Sequence, residues 1–595
     1  MDTLRFYFVT WNVATKNPGQ DLNALLDFPS QFNKNKPLPD FYVIGLQEVK
    51  SQPQNLVMDS LFTDSWTSAF NKILCRQGYI VAKATRLQGI LLIVYTQMKH
   101  VIHLRDIEAQ YTKTGLGGMW GNKGAVSIRF NIYGCSVCLV NSHLTAHEHL
   151  LADRINDYNT IIKQHQYHVK ETTNILYHDY VIWLGDLNFR TDHPAGSSPT
   201  SEEIVAQLQK IEKDKYAPLL SHDQLIAVMD SGEAFSEFTE HDIRFPPTYK
   251  FSIGGDEYDI RRKPSWTDRI LYKVNANNYE NVTLRADVLS YNHIPHYTVS
   301  DHKPVVAQVN IKIRAGISMS IIAEPPPIHS SIRMRSLIIP PQLPTLTEAS
   351  MSSIPESKMD LQKVTTFGAI LPTMPDSPTH DSPDSPTNEF TNDIDVPEGN
   401  VSMKVALFNA LDAGTVKTFS NYTEKTVEFA PITRIWYIGD ADFRTQCTLS
   451  PDIEVNDNDW IGIYDANFHN LDDYIAYEYL AKVSIPSGPT YSGQPRTITL
   501  SFPLGSGVRT PGFYRFIYFS QTNNDVRSVL GISEPFEVSS KEDSLVVIDP
   551  CEQAAGSSSP GRSKPSSANT DIFTDFTGLD VAKLSRHFSN DLSID

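Results

Sequence analysis

The chain has 595 residues, of which 40% are hydrophobic and 20% are charged, and its formal net charge is −18 at pH 7. This length predicts several domains, and the composition is that of a globular protein. The excess of acidic residues argues against nucleic acid as a partner, because general binding of nucleic acid depends mostly on neutralising phosphates.

The five cysteines argue against a secreted protein held together by disulfides, because they are sparse and odd in number. Cys135 and Cys138 form a C-x-x-C pair within an apolar run, so we interpret them as buried strand residues. The amino terminus lacks the pattern of a signal peptide, and no run approaches the ~18 apolar residues of a membrane span. We therefore expect a cytoplasmic protein.

Residues 1–315 alternate short β-rich runs with turns. Runs rich in Val, Ile, Phe and Tyr predict eight strands. They are Leu4–Thr10, Phe41–Leu46, Ile90–Tyr95, Ala125–Ile132, Ser136–Asn141, Tyr180–Leu184, Arg269–Val274 and Val305–Ile313. Apolar residues at helical spacing predict a helix over His147–Val169. This mixture favours an α/β domain with two packed sheets flanked by helices.

Residues 316–400 hold 13 of the 37 prolines and three Asp-Ser-Pro triplets, so we expect a disordered linker there. Globular pattern returns over residues 401–540, where strand-like runs separated by turns predict a small all-β sandwich. These runs are Val405–Phe408, Arg434–Tyr437, Trp460–Tyr464, Thr497–Phe502 and Phe513–Phe519. Residues 541–595 are rich in Ser, Asp and Gly, which predicts a disordered tail with a short amphipathic helix near Gly578–Phe588.

Apolar strands of the first domain repeatedly end in polar residues of catalytic type. Each such cluster alone is typical of a turn or a cap, but strand ends on one sheet edge share a rim and can converge. The clusters are Trp11-Asn12, Gln47-Glu48, Asn141-Ser142-His143, Gly185-Asp186-Leu187-Asn188 and, just before the last strand, Ser300-Asp301-His302. Their joint occurrence predicts a shared site.

The residue types in these clusters suit metal-assisted hydrolysis of a phosphate ester. Glu48 offers an anionic oxygen and Asn12 a neutral one to a hard cation such as Mg²⁺. Asp186 is placed to orient and deprotonate an attacking water. No Ser, Cys or Asp stands in a recognisable nucleophile motif, so we expect water to attack directly.

Seven segments in order along residues 1–310 resemble the signatures of the inositol polyphosphate 5-phosphatases. They are Trp11–Val13, Leu46–Val49, Gly121–Gly124, Asn141–Leu144, Trp183–Arg190, Pro264–Leu271 and Ser300–Val305. The resemblance implies the DNase I-like fold, a four-layer α/β sandwich. It also implies a phosphatase that depends on Mg²⁺.

The resemblance implies roles at the metal and at the attacking water. Glu48 matches the carboxylate that binds Mg²⁺, and Asn12 matches its neighbour at the metal. Asp186 matches the residue that activates the water, with Asn188 as a donor beside it. Asp301 matches a group next to the metal and the water.

The resemblance also implies contacts with the scissile phosphate. His302 matches the histidine that contacts this phosphate, Asp268 matches its orienting carboxylate, and His143 matches a further phosphate contact. A carboxylate on one ring nitrogen would fix the tautomer of His302 and favour its charged form. Whether Asp186 or His302 moves the proton stays open at this point.

Tyr249, Lys250 and Arg262 match the family's element that grips the phosphate next to the scissile one. Two further substrate-binding candidates, Asn122 and Lys123, lie in the Gly-rich turn Gly121–Gly124, where glycines allow the backbone to approach a phosphate closely. A basic residue is usual two positions before Arg262, and this chain has Ile260 there, so we expect Arg261 to stand in. The alternative is a basic loop that only faces solvent. The apolar stretch Gly115–Gly121 either dips into lipid or packs on the core.

The second domain resembles the SKICH domain, which directs some 5-phosphatases to membranes. The resemblance rests on Asn458–Tyr464, Gly512–Tyr514 and Ser528–Phe536. It points to the SKICH-bearing type of the family that is enriched in skeletal muscle and kidney. The protein partner of this domain does not follow from the sequence.

These resemblances predict removal of the 5-phosphate from phosphatidylinositol 4,5-bisphosphate and from the 3,4,5-trisphosphate, with soluble inositol polyphosphates as further substrates. We expect peripheral recruitment from the cytoplasm to the plasma membrane or an endomembrane. Two alternatives stay open from the residues: a nuclease or sphingomyelinase of the same fold, and a scaffold whose inactive phosphatase domain only binds lipid.

Overall fold

The computed structural model describes residues 3–28, 37–50, 64–118, 120–192, 198–279, 282–314, 422–439, 443–451, 453–485, 493–503 and 508–541. The predicted linker over 316–400, the strand at Val405–Phe408 and the helix near Gly578–Phe588 lie outside these residues. Within the described part, no helix is long and apolar enough to cross a membrane.

The described residues of the amino-terminal domain form twelve strands. They are β1 (Thr3–Asn12), β2 (Phe41–Gln47), β3 (Tyr79–Leu87), β4 (Ile90–Gln97), β5 (Leu104–Thr114), β6 (Trp120–Ile132), β7 (Cys135–His143), β8 (Tyr180–Asp186), β9 (Thr239–Glu240), β10 (Asp268–Val274), β11 (Ala286–His293) and β12 (Val305–Lys312). One sheet has the order β11-β12-β1-β2-β4-β3. The other runs β5-β6-β7-β8-β10-β9. Pairing is antiparallel except for β1 with β2 and β7 with β8.

In the part of this domain that the structure describes there are seven α-helices: α1 (Ser65–Leu74), α2 (Met98–Val101), α3 (Gly115–Gly118), α4 (Leu151–Gln164), α5 (Ser201–Leu208), α6 (Ala217–Leu220) and α7 (Gln224–Ser231). Alternate residues of β1 serve two cores: Phe6 packs between the sheets, whereas Tyr7 packs with α1 on the outer face. On the other side, α4 and α7 cover the outer face of the second sheet, where Trp183 lies. The four-layer α/β sandwich is therefore confirmed.

The helix predicted over His147–Val169 is shorter in the structure, where α4 ends at Gln164. The next residue, His165, adopts an extended backbone and turns its ring into the core. There His165 Nδ1 lies 2.9 Å from Thr112 Oγ1, and its Nε2 lies 2.6 Å from Ser127 Oγ. Burial of this ring between two strand hydroxyls explains why the helical periodicity stops early.

The carboxy-terminal domain is a β-sandwich with one short helix, α8 (Leu480–Val483). Its strands are β13 (Val427–Phe429), β14 (Trp436–Tyr437), β15 (Phe443–Leu449), β16 (Trp460–Asp465), β17 (Ala476–Tyr479), β18 (Ser484–Ile485), β19 (Arg496–Phe502), β20 (Gly512–Gln521), β21 (Arg527–Ile532) and β22 (Phe536–Ser539). One sheet has the order β13-β15-β19-β18, and its core residues pack against β16, β20 and β22.

The two domains share a sheet and an apolar core. Strand β21 of the sandwich pairs with β5 of the first domain, where Arg527 is opposite Ile107. Trp460 and Phe519 of the sandwich belong to the core that lies between the sheets of the first domain. The described residues up to Ser540 accordingly form one compact unit. The sandwich is a fixed extension of the first domain.

Arg105 joins the two domains, and we expect Arg105→Ala to destabilise the unit by about 2–4 kcal/mol. Its Nη2 donates to the carbonyl of Lys425 at 2.9 Å, its Nη1 donates to the carbonyl of Val529, and Glu424 lies 3.3 Å away. The substitution removes both hydrogen bonds and the ion pair with Glu424. Denaturant unfolding followed by fluorescence measures the loss.

The matched control for this prediction is Arg244→Ala. The Arg244 side chain is 79% exposed and pairs only with the exposed Asp242. An ion pair of this kind contributes little to stability, so the control is expected to unfold at the wild-type denaturant concentration. Equal stability of both variants and wild type would show that Arg105 does not hold the domains together.

Candidate active site

The strand register brings the predicted site residues to one edge of the two sheets. Asp186, the last residue of β8, is opposite His143 of β7 on one side and Asp268 of β10 on the other. Asn12, the last residue of β1, is opposite Gln47, and Glu48 follows directly. Side chains that are far apart in the sequence therefore meet because their strands end together.

Special backbone conformations place three of these strand ends. Gly185 has φ of +150°, and a Cβ there would lie 2.1 Å from the carbonyl oxygen of Ser142. Glu48 and Asn188 adopt left-handed backbone with φ of 55° and 58°. That conformation is unfavourable for a residue with a Cβ, and such residues concentrate at functional sites. The chain turns sharply here and aims the polar side chains inward.

Asn12 links the two carboxylates that the sequence assigned to the metal and to the water. Its Nδ2 donates to Glu48 Oε1 at 3.1 Å and to Asp186 Oδ2 at 2.9 Å. Its Oδ1 accepts from the backbone N–H of Ala14 at 3.0 Å. In this arrangement Asn12 spaces the carboxylates, and its oxygen reaches a cation between them only after the amide rotates by 180°.

Lys123 and His143 place hydrogen-bond donors on the other side of Asp186. His143 Nε2 lies 3.3 Å from Asp186 Oδ2 and contacts Lys123 Nζ. Burial lowers the pKa of Lys123 to about 8, although the charges of Asp186 and Glu48 oppose this shift. Burial and the charge of Lys123 also lower the pKa of His143. An anionic substrate group would relieve this crowding of donors.

His302 lies between two carboxylates. Its Nδ1 donates to Asp268 Oδ2 at 2.9 Å, and its Nε2 lies 3.9 Å from Asp186 Oδ2. Burial alone would lower the pKa of His302, but the charges of Asp268 and Asp186 raise it to about 9. Burial likewise favours the neutral form of Asp186, yet the charge of His302 and the hydrogen bond from His143 hold the pKa of Asp186 well below its usual range.

Two threonines that the sequence reasoning missed orient Asp268. Thr248 Oγ1 and Thr267 Oγ1 donate to Asp268 Oδ2 at 2.7 Å and 2.9 Å. Asp268 is fully buried, so these hydrogen bonds fix the carboxylate that faces His302. The sequence offers little indication of this role, because a threonine next to an aspartate is common in turns and strands and usually has no catalytic function.

We expect Asp268→Asn to lower kcat by on the order of a hundredfold and to move the alkaline limb of the pH–rate profile to lower pH. The imidazolium of His302 is lost as pH rises through its pKa of about 9, and removal of the Asp268 charge lowers that pKa. Initial rates of phosphate release from pH 6 to 10 test this. A variant whose alkaline limb stays at the wild-type pH would contradict the role of Asp268.

Asn188 is held by its neighbours. Its backbone N–H donates to Asp186 Oδ1 at 3.1 Å, and its Nδ2 donates to the carbonyl of Leu144 at 3.0 Å. Arg190, which the sequence reasoning did not single out, donates from Nη2 to Asn188 Oδ1 at 2.6 Å. The amide therefore has a fixed orientation next to the carboxylate of Asp186.

The predicted substrate element lies partly at the site. The ring of Tyr249 lies on that of His302 with centroids 4.5 Å apart, and Lys250 Nζ binds Asp301 Oδ2 at 2.9 Å. Burial alone would lower the pKa of Lys250, but the hydrogen bond to Asp301 raises it. Asn122 and Arg262 are exposed at the margin.

The basic residue that was expected to replace the one missing at Ile260 is engaged elsewhere. Arg261 donates from Nε and Nη2 to the two oxygens of Asp259, both at 2.7 Å, and its side chain is 85% exposed. The expectation that Arg261 stands in is thus not supported by its contacts. The choice between lipid contact and core packing for the stretch Gly115–Gly121 stays a prediction, because its large apolar side chains, Leu116, Met119 and Trp120, lie outside the described structure.

The site contains donors that fit a divalent cation. Among the described residues, Asp186, Asp268 and His302 place one ligand atom each within 4.8 Å of one another. Glu48 and Asp186 add carboxylate oxygens that converge on the amide of Asn12. Carboxylate and amide oxygens are the ligands of hard cations, whereas the imidazolium of His302 has no lone pair for one. The side of the site with Glu48 is therefore the better metal position.

Two family models match the chain. The model described as endonuclease/exonuclease/phosphatase family 2 matches residues 9–308, and the model of the SKICH domain matches residues 427–538. The first covers the domain that carries the site, and the second covers the β-sandwich.

Two curated relatives each match more than half of the chain. Phosphatidylinositol 4,5-bisphosphate 5-phosphatase A of Mus musculus is 37% identical over 314 residues, which are 51% of this chain and 30% of that protein. The chain thus spans about 30% of the length of this relative. Inositol polyphosphate 5-phosphatase K of Mus musculus is 31% identical over 380 residues, which are 62% of this chain and 79% of that protein.

Solved structures resemble about half of the chain. One is the inositol polyphosphate 5-phosphatase domain of SPsynaptojanin, crystallised with inositol (1,4)-bisphosphate and a calcium ion. It has 31% sequence identity and a TM-score of 0.43, and the match covers 52% of this chain and 86% of that one.

Proposed function

The chain belongs to the endonuclease/exonuclease/phosphatase family 2 and, within it, to the inositol polyphosphate 5-phosphatases, and on this premise we propose that it hydrolyses the 5-phosphate of phosphatidylinositol 4,5-bisphosphate. We extend the proposal to the 3,4,5-trisphosphate and to soluble inositol polyphosphates, which carry the same scissile group. Mg²⁺ is the cation that we propose at Glu48 and Asn12.

One observation carries the proposal: a continuous chain of polar contacts runs through five buried or half-buried side chains. It leads from Glu48 through Asn12 to Asp186, and from Asp186 through His302 to Asp268. Hydrogen-bonded networks of this kind are costly to bury unless their members are satisfied, and perturbed groups concentrate where chemistry occurs. Glu48 and Asp186 provide carboxylates for a metal ion and for the attacking water, and His302 provides a positive charge for the phosphate.

The residues divide the chemistry between them. A divalent cation bound at Glu48 would withdraw charge from a phosphoryl oxygen and stabilise the leaving oxygen. Asp186 stays ionised because of its neighbours, so it can accept a hydrogen bond from the attacking water and orient it. His302, His143 and Lys123 face the phosphoryl group as donors and stabilise the charge that develops on it.

The proton of the attacking water has two candidate acceptors, and their charge states favour one. His302 is already protonated below its pKa of about 9, so near neutral pH it can donate but cannot accept. Asp186 is anionic and lies 3.3 Å from His143 and 3.9 Å from His302. We therefore assign the acceptor role to Asp186 and the role of electrostatic donor to His302.

We further propose that the protein acts at a membrane surface from the cytoplasm, because the lipid substrate presents its head group there. The SKICH domain is fixed to the first domain through β5 and β21, so any surface that binds it also orients the active site. The protein partner of this domain is a matter for binding experiments.

Release of inorganic phosphate from a panel of phosphoinositides in vesicles tests the proposed function. We expect release from lipids with a 5-phosphate, loss of release with EDTA, and recovery with Mg²⁺. Release only from lipids without a 5-phosphate would overturn the assignment. Nicking of plasmid DNA or turnover of sphingomyelin in the same preparation would instead favour the two rival activities.

A further inference from the structure

Arg190 is a buried cation whose charge is not balanced by a carboxylate. It is 4% exposed, and among the residues that the structure describes no carboxylate forms an ion pair with it. A buried guanidinium that faces only neutral groups is costly, because it loses hydration without gaining an opposite charge. Such a group is expected where an anion binds.

The contacts of Arg190 leave part of its guanidinium free. Nε donates to the carbonyl of Asn188 at 3.0 Å, and Nη2 donates to Asn188 Oδ1 at 2.6 Å. The guanidinium carbon lies 4.7 Å from the centre of the Tyr249 ring. Within the described structure Nη1 has no hydrogen-bond partner. Nη1 also keeps some contact with solvent, so a ligand can reach it.

The position of Arg190 defines which group it can meet. Asn188 lies beside the carboxylate that orients the attacking water, and Tyr249 lies on the ring of His302. Arg190 contacts both residues, so its guanidinium lies beside side chains that adjoin the reacting centre. A second anionic group on the substrate, adjacent to the scissile phosphate, is the ligand that this position fits.

The surroundings strengthen the demand for negative charge. After burial, the positive charge of Arg190 is the largest cause that lowers the pKa of Arg154, which falls to about 10. It also contributes, after burial and other charges, to the lowered pKa values of Lys123 and His147. Arg154 and Lys123 thus lie within electrostatic reach of Arg190. Carboxylates such as Asp186 offset part of this positive charge, and a bound polyanion would offset more of it.

We infer that Arg190 binds the phosphate next to the scissile phosphate through Nη1 while it positions Asn188 through Nη2. The inference rests on the proposed function. Arg190, in the segment after β8, then provides a phosphate contact that Arg261 does not, because Arg261 is paired with Asp259. Arg190 thereby selects substrates that carry two adjacent phosphates.

The test compares two soluble substrates, inositol 1,4,5-trisphosphate and inositol 1,5-bisphosphate, which differ in the phosphate next to the scissile one. For Arg190→Gln we expect kcat/KM to fall for both, because Asn188 is less well held. The fall is expected to be on the order of tenfold larger for the trisphosphate, because only this substrate loses the charge-assisted hydrogen bond. Arg190→Lys is expected to recover part of the selectivity because it keeps the charge.

Arg129→Gln is the matched control. Arg129 is also fully buried, but it bonds to Thr172 and Asn131 and lies opposite Cys138, five residues along β6 from the site end. Its loss should lower stability without changing the ratio of the two kcat/KM values. An equal fall for both substrates in Arg190→Gln would overturn the phosphate contact and leave a structural role only.

A binding measurement separates this inference from the proposed function. Calorimetry with inositol 1,4-bisphosphate and inositol 1-phosphate needs no turnover. We expect Arg190→Gln to weaken the first on the order of tenfold and to leave the second unchanged. Wild-type protein that binds both equally would overturn the inference. The wild-type protein could also bind inositol 1,4-bisphosphate more tightly than inositol 1-phosphate and yet hydrolyse neither inositol 1,4,5-trisphosphate nor inositol 1,5-bisphosphate. That result would overturn the proposed 5-phosphatase activity and retain the phosphate contact.

Discussion

Replacing Asp186 with asparagine is expected to lower kcat by on the order of a thousandfold or more, with little change in KM. Asparagine keeps the size of the side chain and can still accept from the backbone N–H of Asn188. It removes the only anionic group that, among the described residues, lies within 4 Å of both His143 and His302. A neutral amide can neither accept the proton of the water nor balance the charge of His302, and both losses act in the transition state.

Initial rates of phosphate release over a range of substrate concentrations separate kcat from KM for Asp186→Asn. Asp153→Asn on the exposed face of α4 is the matched control and is expected to keep the wild-type rate. Near-complete activity in Asp186→Asn would show that another group activates the water. A large rise in KM with unchanged kcat would show that Asp186 only binds substrate.

The convergence of the site could be predicted because strand ends carry positional information. Asn12, Glu48, His143 and Asp186 each follow an apolar run of strand length, and a buried strand must end at the sheet edge. The eight predicted strands of the first domain all occur, because each is buried on one or both faces. The four-layer fold then follows from how such strands and the amphipathic helices bury their apolar faces.

Four strands were missed: β3, β5, β9 and β11. β9 has only two residues, and the other three were missed for a physical reason. β5 and β11 read as mixed polar sequence because they are partly exposed, and β3 carries charged residues at Lys83 and Arg86. Their place in the sheets is set by tertiary pairing, which overrides weak local preference. The pairing of β5 with β21 likewise lies beyond sequence patterns, because it depends on how two separately encoded surfaces fit.

The supporting contacts of the site were also beyond sequence reasoning. Thr248 reaches Asp268 across 20 positions, and Arg190 meets Tyr249 across nearly 60. No periodicity marks a side chain that acts through another one. Such residues become visible only when the distances are known, which is why Arg190 emerged from the structure.

Replacing Glu48 with glutamine is expected to raise the Mg²⁺ concentration for half-maximal activity by about 10- to 100-fold and to lower kcat at saturating Mg²⁺. Glutamine retains an oxygen that can accept from Asn12 Nδ2, so the contact at 3.1 Å can persist. The left-handed backbone at Glu48 also tolerates this change, since the side chains branch alike. The negative charge alone is removed, and charge is what holds a hard cation.

Thermal unfolding with and without Mg²⁺ provides a readout that does not depend on activity. A ligand that binds only the folded protein stabilises it in proportion to the logarithm of its concentration over Kd. Wild type should therefore unfold at a higher temperature in millimolar Mg²⁺, and Glu48→Gln should lose most of this gain. The exposed Glu212→Gln should keep it, because that carboxylate lies away from the site. An undiminished Mg²⁺ effect in Glu48→Gln would move the cation to the group formed by Asp186, Asp268 and His302, where binding would first require His302 to lose its proton.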